Sequence, residues 1–276
     1  MPRETPSPSS VGKQVRLGRI FRKDDKSVIF AMDHGIERGP DVFPTDALDP
    51  KDILRKVVEA GFDAIMVSKG VAKVTHGVWK NELGLVVKLT GKTELRSERA
   101  RTLQSPIATV GDALALGADA VAVTVYWGSK FEDAMLERLT KISKTCDFFG
   151  VPLMQLAYPR VESGNNYDPK IVSYASRLAM ETGADAIKTY FTGDRESFSS
   201  VVKAAGGVPV LLSGGETTQQ PIEFLSVVED VMAAGAKGVV VGRNVFQHKD
   251  PVAIGRAVIK IVHEGLSAKD AAKLIR

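Results

Sequence analysis

The sequence predicts a (β/α)8 TIM barrel, which is a closed parallel β-barrel surrounded by helices, and three observations support this fold class. The chain has 276 residues, a usual length for one barrel domain. Four similar segments, each made of a helix end, a glycine and a short apolar run, recur with their glycines at Gly61, Gly117, Gly183 and Gly235. These glycines lie roughly 50 to 65 residues apart, which corresponds to about two strand–helix units.

The repeated segments predict the even-numbered strands, and further apolar runs between them predict the odd-numbered strands. We expect strands one, three, five and seven at Ser27–Met32, Leu85–Thr90, Pro152–Ala157 and Val208–Leu212. Eight near-continuous apolar strands that alternate with helices are typical of a closed parallel barrel. An open doubly wound sheet is the main alternative, but no GxGxxG motif follows the first strand, which counts against a dinucleotide-binding fold.

Helical stretches separate the predicted strands, and one domain accounts for almost the whole chain. The clearest of these helices are Lys51–Ala60, Val110–Leu116, Phe131–Phe149, Pro169–Thr182, Glu196–Ala204, Pro221–Ala234 and Pro251–His263. The weakest helical prediction is a short helix over Lys69–Val78. The first ten residues contain three prolines and three serines, so we expect a flexible leader over 1–12 and a catalytic barrel over 13–276.

Composition argues against several classes of function. The net charge is +4 and the basic residues are scattered without an aromatic-laced patch, so nucleic-acid binding is not expected. No run approaches ~18 apolar residues, and the N-terminus lacks the apolar core of a signal peptide, so no membrane contact is expected. A single cysteine, Cys146, cannot form an internal disulfide, which favours a cytoplasmic protein. A modest positive charge suits an anionic small substrate.

The histidines do not predict a metal site. The chain has four of them, without paired-ligand spacing such as HxxxH: His34, His76, His248 and His263. We expect His248 and His263 to be surface residues near the last helix. The sequence therefore predicts chemistry without a metal.

Lys188 is the strongest chemical signal in the sequence. Five residues after the glycine of each repeat, three copies carry Met66, Ala122 and Val240, whereas the third copy carries Lys188. An unperturbed lysine is only about 0.04% neutral at pH 7, and desolvation raises the neutral, nucleophilic fraction. A buried lysine in this position predicts imine formation with a carbonyl substrate. The alternative is a lysine that reaches solvent or pairs with a carboxylate, for which Asp33 is the candidate.

Imine chemistry also requires a group that transfers protons, and two residues at predicted strand ends are suitable. Active sites of this fold form at the carboxyl ends of the strands. Asp33 follows the first strand and Tyr158 follows the fifth. Each has a structural alternative, namely a turn aspartate and a packing tyrosine. His34 is a further candidate that a purely structural role would explain equally well.

The ends of strands seven and eight have the composition of a phosphate site. Ser213-Gly214-Gly215 supplies flexible backbone N–H groups, and Arg243 supplies a fork-shaped cation after Gly242. Loops after strands seven and eight are the usual phosphate site in this architecture. Glycine pairs in turns are common, so the combination with Arg243 is what carries this prediction.

Seven motifs in order are similar to the archaeal-type class I fructose-bisphosphate aldolase family. They span nearly the whole chain after about residue 12 and read MDHGIERGP (32–40), KLTGKTEL (88–95), YWGSKFE (126–132), YPR (158–160), DAIKTYFTGD (185–194), LLSGG (211–215) and VGRNVFQ (241–247). The resemblance implies reversible cleavage of fructose 1,6-bisphosphate to dihydroxyacetone phosphate and glyceraldehyde 3-phosphate, without a cofactor. It also implies a homo-oligomer, since the family is known for decamers that are dimers of pentamers.

The resemblance implies a role for each candidate residue. Lys188 matches the imine-forming lysine, Tyr158 the proton-transfer tyrosine and Asp33 the aspartate acting beside them. The phosphate of dihydroxyacetone phosphate is expected on five residues: Ser213, Gly214, Gly215, Gly242 and Arg243. Charge and position make Arg38, Lys92 and His34 the candidates for contacts with the distal part of the substrate.

The chain departs from the aldolases at positions that flank the substrate. Arg38 stands where they usually have histidine, Leu156 where they have an aromatic residue, and Glu216 where they have proline. The opening GKQVRLGRIF (12–21) is similar to a sister branch, the 2-amino-3,7-dideoxy-D-threo-hept-6-ulosonate synthases. A third branch acts as a thiolase on phosphorylated autoinducer breakdown products. These sister activities, and a non-catalytic phosphosugar-binding barrel, remain the alternatives.

Overall fold

Eight parallel strands close into a barrel in the computed structural model, which describes residues 8–97, 101–218 and 220–275. In chain order these barrel strands are Ser27–Met32, Ala64–Ser68, Gly84–Lys88, Ala120–Trp127, Leu153–Pro159, Ala186–Thr189, Val210–Ser213 and Gly238–Val241. Consecutive strands are neighbours, and the eighth pairs with the first, with Ser27 opposite Gly238. The predicted (β/α)8 fold is confirmed.

Helices follow the strands and cover the outside of the barrel. Those that the sequence predicted are Pro50–Ala60, Lys69–Trp79, Val110–Ala115, Glu132–Phe149, Pro169–Glu181, Arg195–Ala204, Pro221–Ala233 and Pro251–Glu264. The weakest prediction, Lys69–Val78, corresponds to a helix of 11 residues. The hydroxyl of Ser68 accepts the Val71 N–H at its first turn, so a side-chain cap fixes where this helix begins.

Several short elements were not predicted. They are the helices His34–Arg38, Arg243–Phe246 and Ala268–Ala272, the 3-10 turns Pro40–Val42 and Thr45–Ala47, and an antiparallel pair, Thr90–Gly91 with Ser105–Pro106. A further helix, Pro8–Leu17, overlaps the expected leader, so residues 8–12 are helical. Residues 1–7 of that leader lie outside the described residues, and the domain boundary at residue 12 stays a prediction.

The aspartates of the repeat explain how the amino-terminal end of the barrel is closed. Three of them accept an N–H group from the preceding strand: Asp63 from Val28 at 2.6 Å, Asp119 from Leu85 at 3.0 Å, and Asp185 from Leu153 at 2.8 Å. The same three carboxylates pair with basic side chains of the N-terminal segment: Arg22, Arg19 and Lys13, respectively. Ile20 packs into the barrel interior from this end. The opposite, carboxyl end is where a substrate can enter.

His263 corrects the expectation that this histidine is a surface residue. Its side chain is only 6% exposed, and its two ring nitrogens contact Asp24 at 2.9 Å and Asp63 at 3.0 Å. Burial disfavours the imidazolium, but hydrogen bonds to Asp63 and Asp24 outweigh burial and raise the pKa of His263. The N-terminal segment that carries Asp24 covers this end of the last long helix, which the helical pattern alone does not reveal.

Most side chains inside the barrel are small or apolar. They include Ile29, Ala64, Met66, Val86, Ala122, Met154, Leu211 and Val240. Two lysines, Lys88 and Lys188, are also buried within the strands. Among the described residues, no helix is long and apolar enough to cross a membrane.

Candidate active site

A cavity of about 210 Å³ lies at the carboxyl ends of the barrel strands. All the site residues predicted from sequence line it: Asp33, His34, Arg38, Lys92, Tyr158, Lys188, Ser213, Gly214, Gly215, Gly242 and Arg243. They come from six strand ends and meet because parallel strands of a barrel end on the same face. The fold therefore brings the predicted set of residues together in one cavity.

Lys188 lies on the sixth strand with Leu156 and Leu211 opposite it on the neighbouring strands. The residue is 6% exposed, and its Nζ atom makes no hydrogen bond with any described residue. Burial lowers the pKa of Lys188 to about 8, with Asp33 acting against this change and Lys88 adding to it. At that pKa roughly a tenth of the amine is neutral at pH 7. The amine of Lys188 can therefore act as a nucleophile, because it is not held in an ion pair.

Lys88, on the third strand, is a second buried lysine that the sequence analysis missed. Its Nζ donates to Asp33 Oδ2 at 2.8 Å and to Glu37 Oε1 at 2.9 Å, and it is only 1% exposed. Burial disfavours the ammonium, but the two carboxylates outweigh burial and raise the pKa of Lys88. The expected alternative partner of Lys188, Asp33, thus forms its ion pair with Lys88. A polar residue inside the apolar run LVVKLT was the signal that could have found it.

Asp33 is ionised mainly because the Lys88 ammonium contacts it. Burial opposes its ionisation, but Lys88, His34 and Lys188 together hold the pKa of this carboxyl well below its usual range. The His34 Nδ1 atom lies 3.7 Å from Asp33 Oδ1, which is too long for a hydrogen bond. Asp33 is therefore a fixed negative charge at the edge of the cavity.

Glu37 is held by a chain of hydrogen bonds that no sequence pattern indicated. The side-chain amide of Gln104 donates to Glu37 Oε1 at 3.1 Å and to the Tyr126 hydroxyl at 2.9 Å. Gln104 is 1% exposed, so these bonds form away from solvent. These hydrogen bonds hold the carboxylate of Glu37 against the Lys88 amine. Because Lys88 also donates to Asp33, the same hydrogen bonds help to position Asp33.

Tyr158 lies on the fifth strand within an aromatic cluster. Its hydroxyl is 3.0 Å from Ser213 Oγ, and its ring stacks on Tyr190 with centroids 4.6 Å apart. The Arg160 guanidinium lies 4.9 Å from the Tyr126 ring centroid and 5.5 Å from that of Tyr190. Burial raises the pKa of Tyr158, against the effect of the Ser213 hydrogen bond, so the phenol is protonated at neutral pH. Its hydroxyl is available as a proton donor.

The glycines after the seventh and eighth strands allow close approach of the backbone. A Cβ atom on Gly242 would lie 2.4 Å from His34 Cε1 and 2.7 Å from the Ala31 carbonyl oxygen, so this position requires glycine. The Gly214 N–H donates to the Val240 carbonyl at 3.1 Å, which removes it from the donors available to an anion. His34, packed against Gly242, has its pKa lowered to about 4 by burial, with Asp33 acting against this change. His34 is therefore neutral at pH 7.

Arg243 is the main cation at this side of the cavity. Its side chain is 16% exposed, and its Nε atom has no partner among the described residues. One terminal nitrogen donates to Glu216 at 3.1 Å. Lys92 follows the third barrel strand and lies 3.9 Å from Glu94, and burial lowers the pKa of Lys92 despite Glu37 and Glu94. Both cations face the cavity and can attract an anionic substrate.

No group of three or more histidine, cysteine, aspartate or glutamate side chains suited to a metal ion occurs among the described residues. The cavity instead combines an unpaired buried amine, a protonated tyrosine and an ionised aspartate. This combination on a (β/α)8 barrel defines an enzyme class that works through a lysine imine.

Comparison with known proteins gives the family. The chain belongs to the DeoC/LacD family of aldolases, whose model matches residues 27–248. It is 43% identical to the class 1 fructose-bisphosphate aldolase of Thermoproteus tenax, over 90% of this chain and 93% of that protein. It is 36% identical to 2-amino-3,7-dideoxy-D-threo-hept-6-ulosonate synthase 1 of Archaeoglobus fulgidus, over 94% of each chain.

A solved structure agrees with this family. An archaeal fructose-1,6-bisphosphate aldolase, with its catalytic lysine bound covalently to the carbinolamine of the substrate, superposes with a TM-score of 0.84. It is 41% identical and covers 91% of this chain and 99% of its own. The suspected resemblance to the archaeal-type aldolases and their sister synthases is confirmed.

Proposed function

We propose that this protein is a class I aldolase that reversibly cleaves fructose 1,6-bisphosphate to dihydroxyacetone phosphate and glyceraldehyde 3-phosphate. The observation that carries the proposal is the Lys188 amine, buried, unpaired and open to the cavity. The similarity to the Thermoproteus aldolase supports the choice of substrate. An imine needs no metal or cofactor, because the protonated imine withdraws electrons from the bond that breaks.

The reaction begins at the ketone of the open-chain substrate. The neutral amine of Lys188 attacks C2, and the resulting carbinolamine loses water to give an iminium ion. Tyr158 supplies the proton that leaves with the water, because burial keeps its phenol protonated beforehand. The ionised carboxylate of Asp33 lies in the same cavity and stabilises the positive charge of the iminium.

The same tyrosine then closes the proton cycle. After dehydration Tyr158 is a phenolate, which takes the proton of the C4 hydroxyl while the C3–C4 bond breaks. The electrons of the C3–C4 bond move into the iminium to form an enamine, and glyceraldehyde 3-phosphate leaves. Tyr158 returns the proton to C3 of the enamine, which regenerates the iminium and the phenolate. The phenolate then takes a proton from the water that attacks the iminium, and dihydroxyacetone phosphate is released as the Lys188 amine leaves. The cycle ends with Tyr158 as a phenol again, hydrogen-bonded to the Ser213 hydroxyl as at the start.

Phosphate recognition is assigned to the seventh and eighth strand ends. Arg243 is the principal cation there, with Ser213, Gly215 and Gly242 beside it. Gly214 contributes close packing against Val241, since its own N–H is already used. Replacing Arg243 with alanine should raise KM about tenfold or more, because a charge-assisted contact to phosphate is lost. An unchanged affinity for phosphate-bearing ligands would contradict this assignment.

The heptulosonate synthase activity is the second candidate, and Leu156 favours it. Leu156 lies opposite both Lys188 and Thr124 on the neighbouring strands, where the resembling aldolases have an aromatic residue. A smaller side chain beside the imine changes which acceptor aldehyde fits. The similarity to the Archaeoglobus synthase points the same way.

A substrate panel separates the two activities. Purified enzyme is given fructose 1,6-bisphosphate alone, and then with aspartate semialdehyde as an alternative acceptor. The proposal expects efficient release of both triose phosphates without an acceptor. Cleavage that is slow alone and gives a heptulosonate with the semialdehyde would establish the synthase instead. Binding of the bisphosphate with no turnover in either assay would leave only a phosphosugar-binding barrel.

We propose further that the protein works as a cytoplasmic homo-oligomer, a dimer of pentamers. Two adjacent phenylalanines at the end of the helix Glu132–Phe149 support an interface, since Phe148 is 79% and Phe149 50% exposed. Sedimentation velocity tests the assembly. A decamer is the expected species, and a monomer at micromolar concentration would contradict it.

A further inference from the structure

Glu216 lies between two arginines at the rim of the cavity. Its Oε1 atom is 3.1 Å from a terminal nitrogen of Arg243 and 3.6 Å from one of Arg38. Arg38 follows the first barrel strand, Glu216 the seventh and Arg243 the eighth, so the carboxylate connects three loops. All three side chains line the cavity.

The two members of the Glu216–Arg243 pair differ in how firmly they are held. The Arg243 side chain is 16% exposed, whereas the Glu216 side chain is 75% exposed. The backbone of Glu216 is anchored, because the Asn244 amide donates to its carbonyl at 3.0 Å. Glu216 therefore has an exposed carboxylate on an anchored backbone, whereas the side chain of Arg243 is mostly buried.

An incoming phosphate and the Glu216 carboxylate require the same guanidinium. Both are anions that bind arginine through oxygen atoms, and they repel each other at short range. The Arg243 Nε atom is buried and has no partner among the described residues, so an incoming anion reaches this guanidinium through its two terminal nitrogens. Glu216 already accepts from one of them. Bidentate contact between phosphate and both terminal nitrogens therefore requires the carboxylate to leave.

We propose that the Glu216 carboxylate competes with the substrate phosphate for Arg243. When phosphate binds, the carboxylate leaves Arg243 and stays paired with Arg38. This inference rests on the proposed function and deepens it by naming a residue that determines specificity. Arg38 then acts as the counter-ion of the displaced carboxylate rather than as a ligand of the distal phosphate.

The competition selects for doubly charged anions. A phosphate monoester carries about −1.5 to −2 charges at pH 7, so it displaces a single carboxylate more readily than a monoanion does. Monocarboxylates and phosphodiesters carry one negative charge at pH 7 and compete poorly with Glu216. The site therefore prefers phosphate monoesters over monoanions, but it binds every anion more weakly than it would without Glu216.

The test measures binding of inorganic phosphate by calorimetry to four proteins: the wild type, Glu216→Gln, Arg38→Gln and the double variant. Glu216→Gln should bind phosphate about twofold to fivefold more tightly, the range expected from exposed ion pairs. Arg38→Gln should weaken binding by a similar factor when Glu216 is present, because the displaced carboxylate loses its second partner. In the Glu216→Gln background, the Arg38 substitution should have little effect.

A second titration with acetate tests the selectivity. Glu216→Gln should gain affinity for this monoanion by a larger factor than for phosphate. Glu59→Gln is the matched control, because Glu59 is also an exposed glutamate paired with an exposed arginine, Arg256 at 3.4 Å, away from the cavity. Its phosphate affinity should equal that of the wild type.

The outcomes separate this inference from the proposed function. If the wild type cleaves fructose 1,6-bisphosphate but Glu216→Gln binds phosphate no more tightly, the competitor role is wrong and the aldolase remains. If Arg38→Gln weakens binding equally in both backgrounds, Arg38 contacts the anion directly and its counter-ion role is wrong. If none of the four proteins binds phosphate and none cleaves the bisphosphate, the proposed function fails and this inference fails with it.

Discussion

The third and sixth barrel strands each carry a buried lysine, and the two lysines differ in almost every other respect. Lys88 is 1% exposed and contacts two carboxylates, whereas Lys188 is 6% exposed and has no hydrogen-bonding partner among the described residues. The pKa of Lys88 is raised, while that of Lys188 falls to about 8. Nearly equal burial therefore accompanies pKa shifts in opposite directions, because the neighbouring charges decide whether desolvation dominates.

Asp33 connects the two lysines. Its carboxylate accepts a hydrogen bond from Lys88 and makes no ion pair with Lys188. The positive charge of Lys88 also disfavours a second cation nearby, which contributes to the lowered pKa of Lys188. One lysine thus serves as a permanent cation that organises the site, and the other serves as the nucleophile.

Replacing Lys188 with methionine should have the largest effect on activity. Methionine keeps an unbranched side chain of similar length but has no amine, so no imine can form. Turnover should fall on the order of 10⁴-fold or more, with no change in the circular dichroism spectrum. Replacement of the exposed Lys203 with methionine is the control and should leave turnover unchanged. Activity retained by Lys188→Met would mean that another residue is the nucleophile.

The same variant should be more stable than the wild type at neutral pH. The pKa of Lys188 is about 8 in the folded protein rather than the ordinary 10.5. On folding, this lysine must therefore either lose its proton or keep a charge that burial disfavours. That cost is on the order of 3 kcal/mol, is fully present below pH 8 and disappears as the pH rises to about 10.5. Urea unfolding at pH 7 and pH 10.5 measures it, and an equal effect at both values would contradict the lowered pKa.

Replacing Lys88 with methionine should change stability in the opposite direction. Asp33 and Glu37 would remain buried without their cation, which costs about 3–5 kcal/mol of unfolding free energy. Adding Glu37→Gln to this variant should restore part of the loss, since one uncompensated carboxylate is removed. Urea unfolding measures both effects. A Lys88→Met protein as stable as the wild type would show that the ion pairs contribute nothing to the fold.

The pH dependence of kcat/KM should distinguish the two lysines most finely. If the neutral form of Lys188 is the nucleophile, kcat/KM rises about tenfold per pH unit below its pKa of about 8 and levels off above it. The sign follows because the amine loses its proton as the pH increases. A nucleophile with the raised pKa of Lys88 would give a rate that still increases beyond pH 9. Steady-state assays from pH 6 to 9.5 decide between the two.

Much of the fold and of the site was predictable because both depend on short-range pattern. The repeat shows where strands begin, and Lys188 is conspicuous because three other copies have an apolar residue at its position. Lys88 is equally unusual in its strand, but it belongs to no repeat that would expose the contrast. The same rule applied to each predicted strand would have found it.

The partners of these residues were not predictable, because they depend on tertiary contacts. Gln104 lies in a segment without periodicity, and only the folded chain places its amide between Glu37 and Tyr126. The meeting of Glu216 with Arg38 depends on two loops that are far apart in sequence. The burial of His263 depends likewise on the N-terminal segment folding over it.

Borohydride reduction in the presence of dihydroxyacetone phosphate, followed by peptide mass mapping, tests the central claim most directly. The reduced adduct should be found on Lys188 and not on Lys88, although both lysines line the same cavity. An adduct on Lys88 or on any other lysine, or no adduct at all, would contradict the assignment of the unpaired amine as the nucleophile.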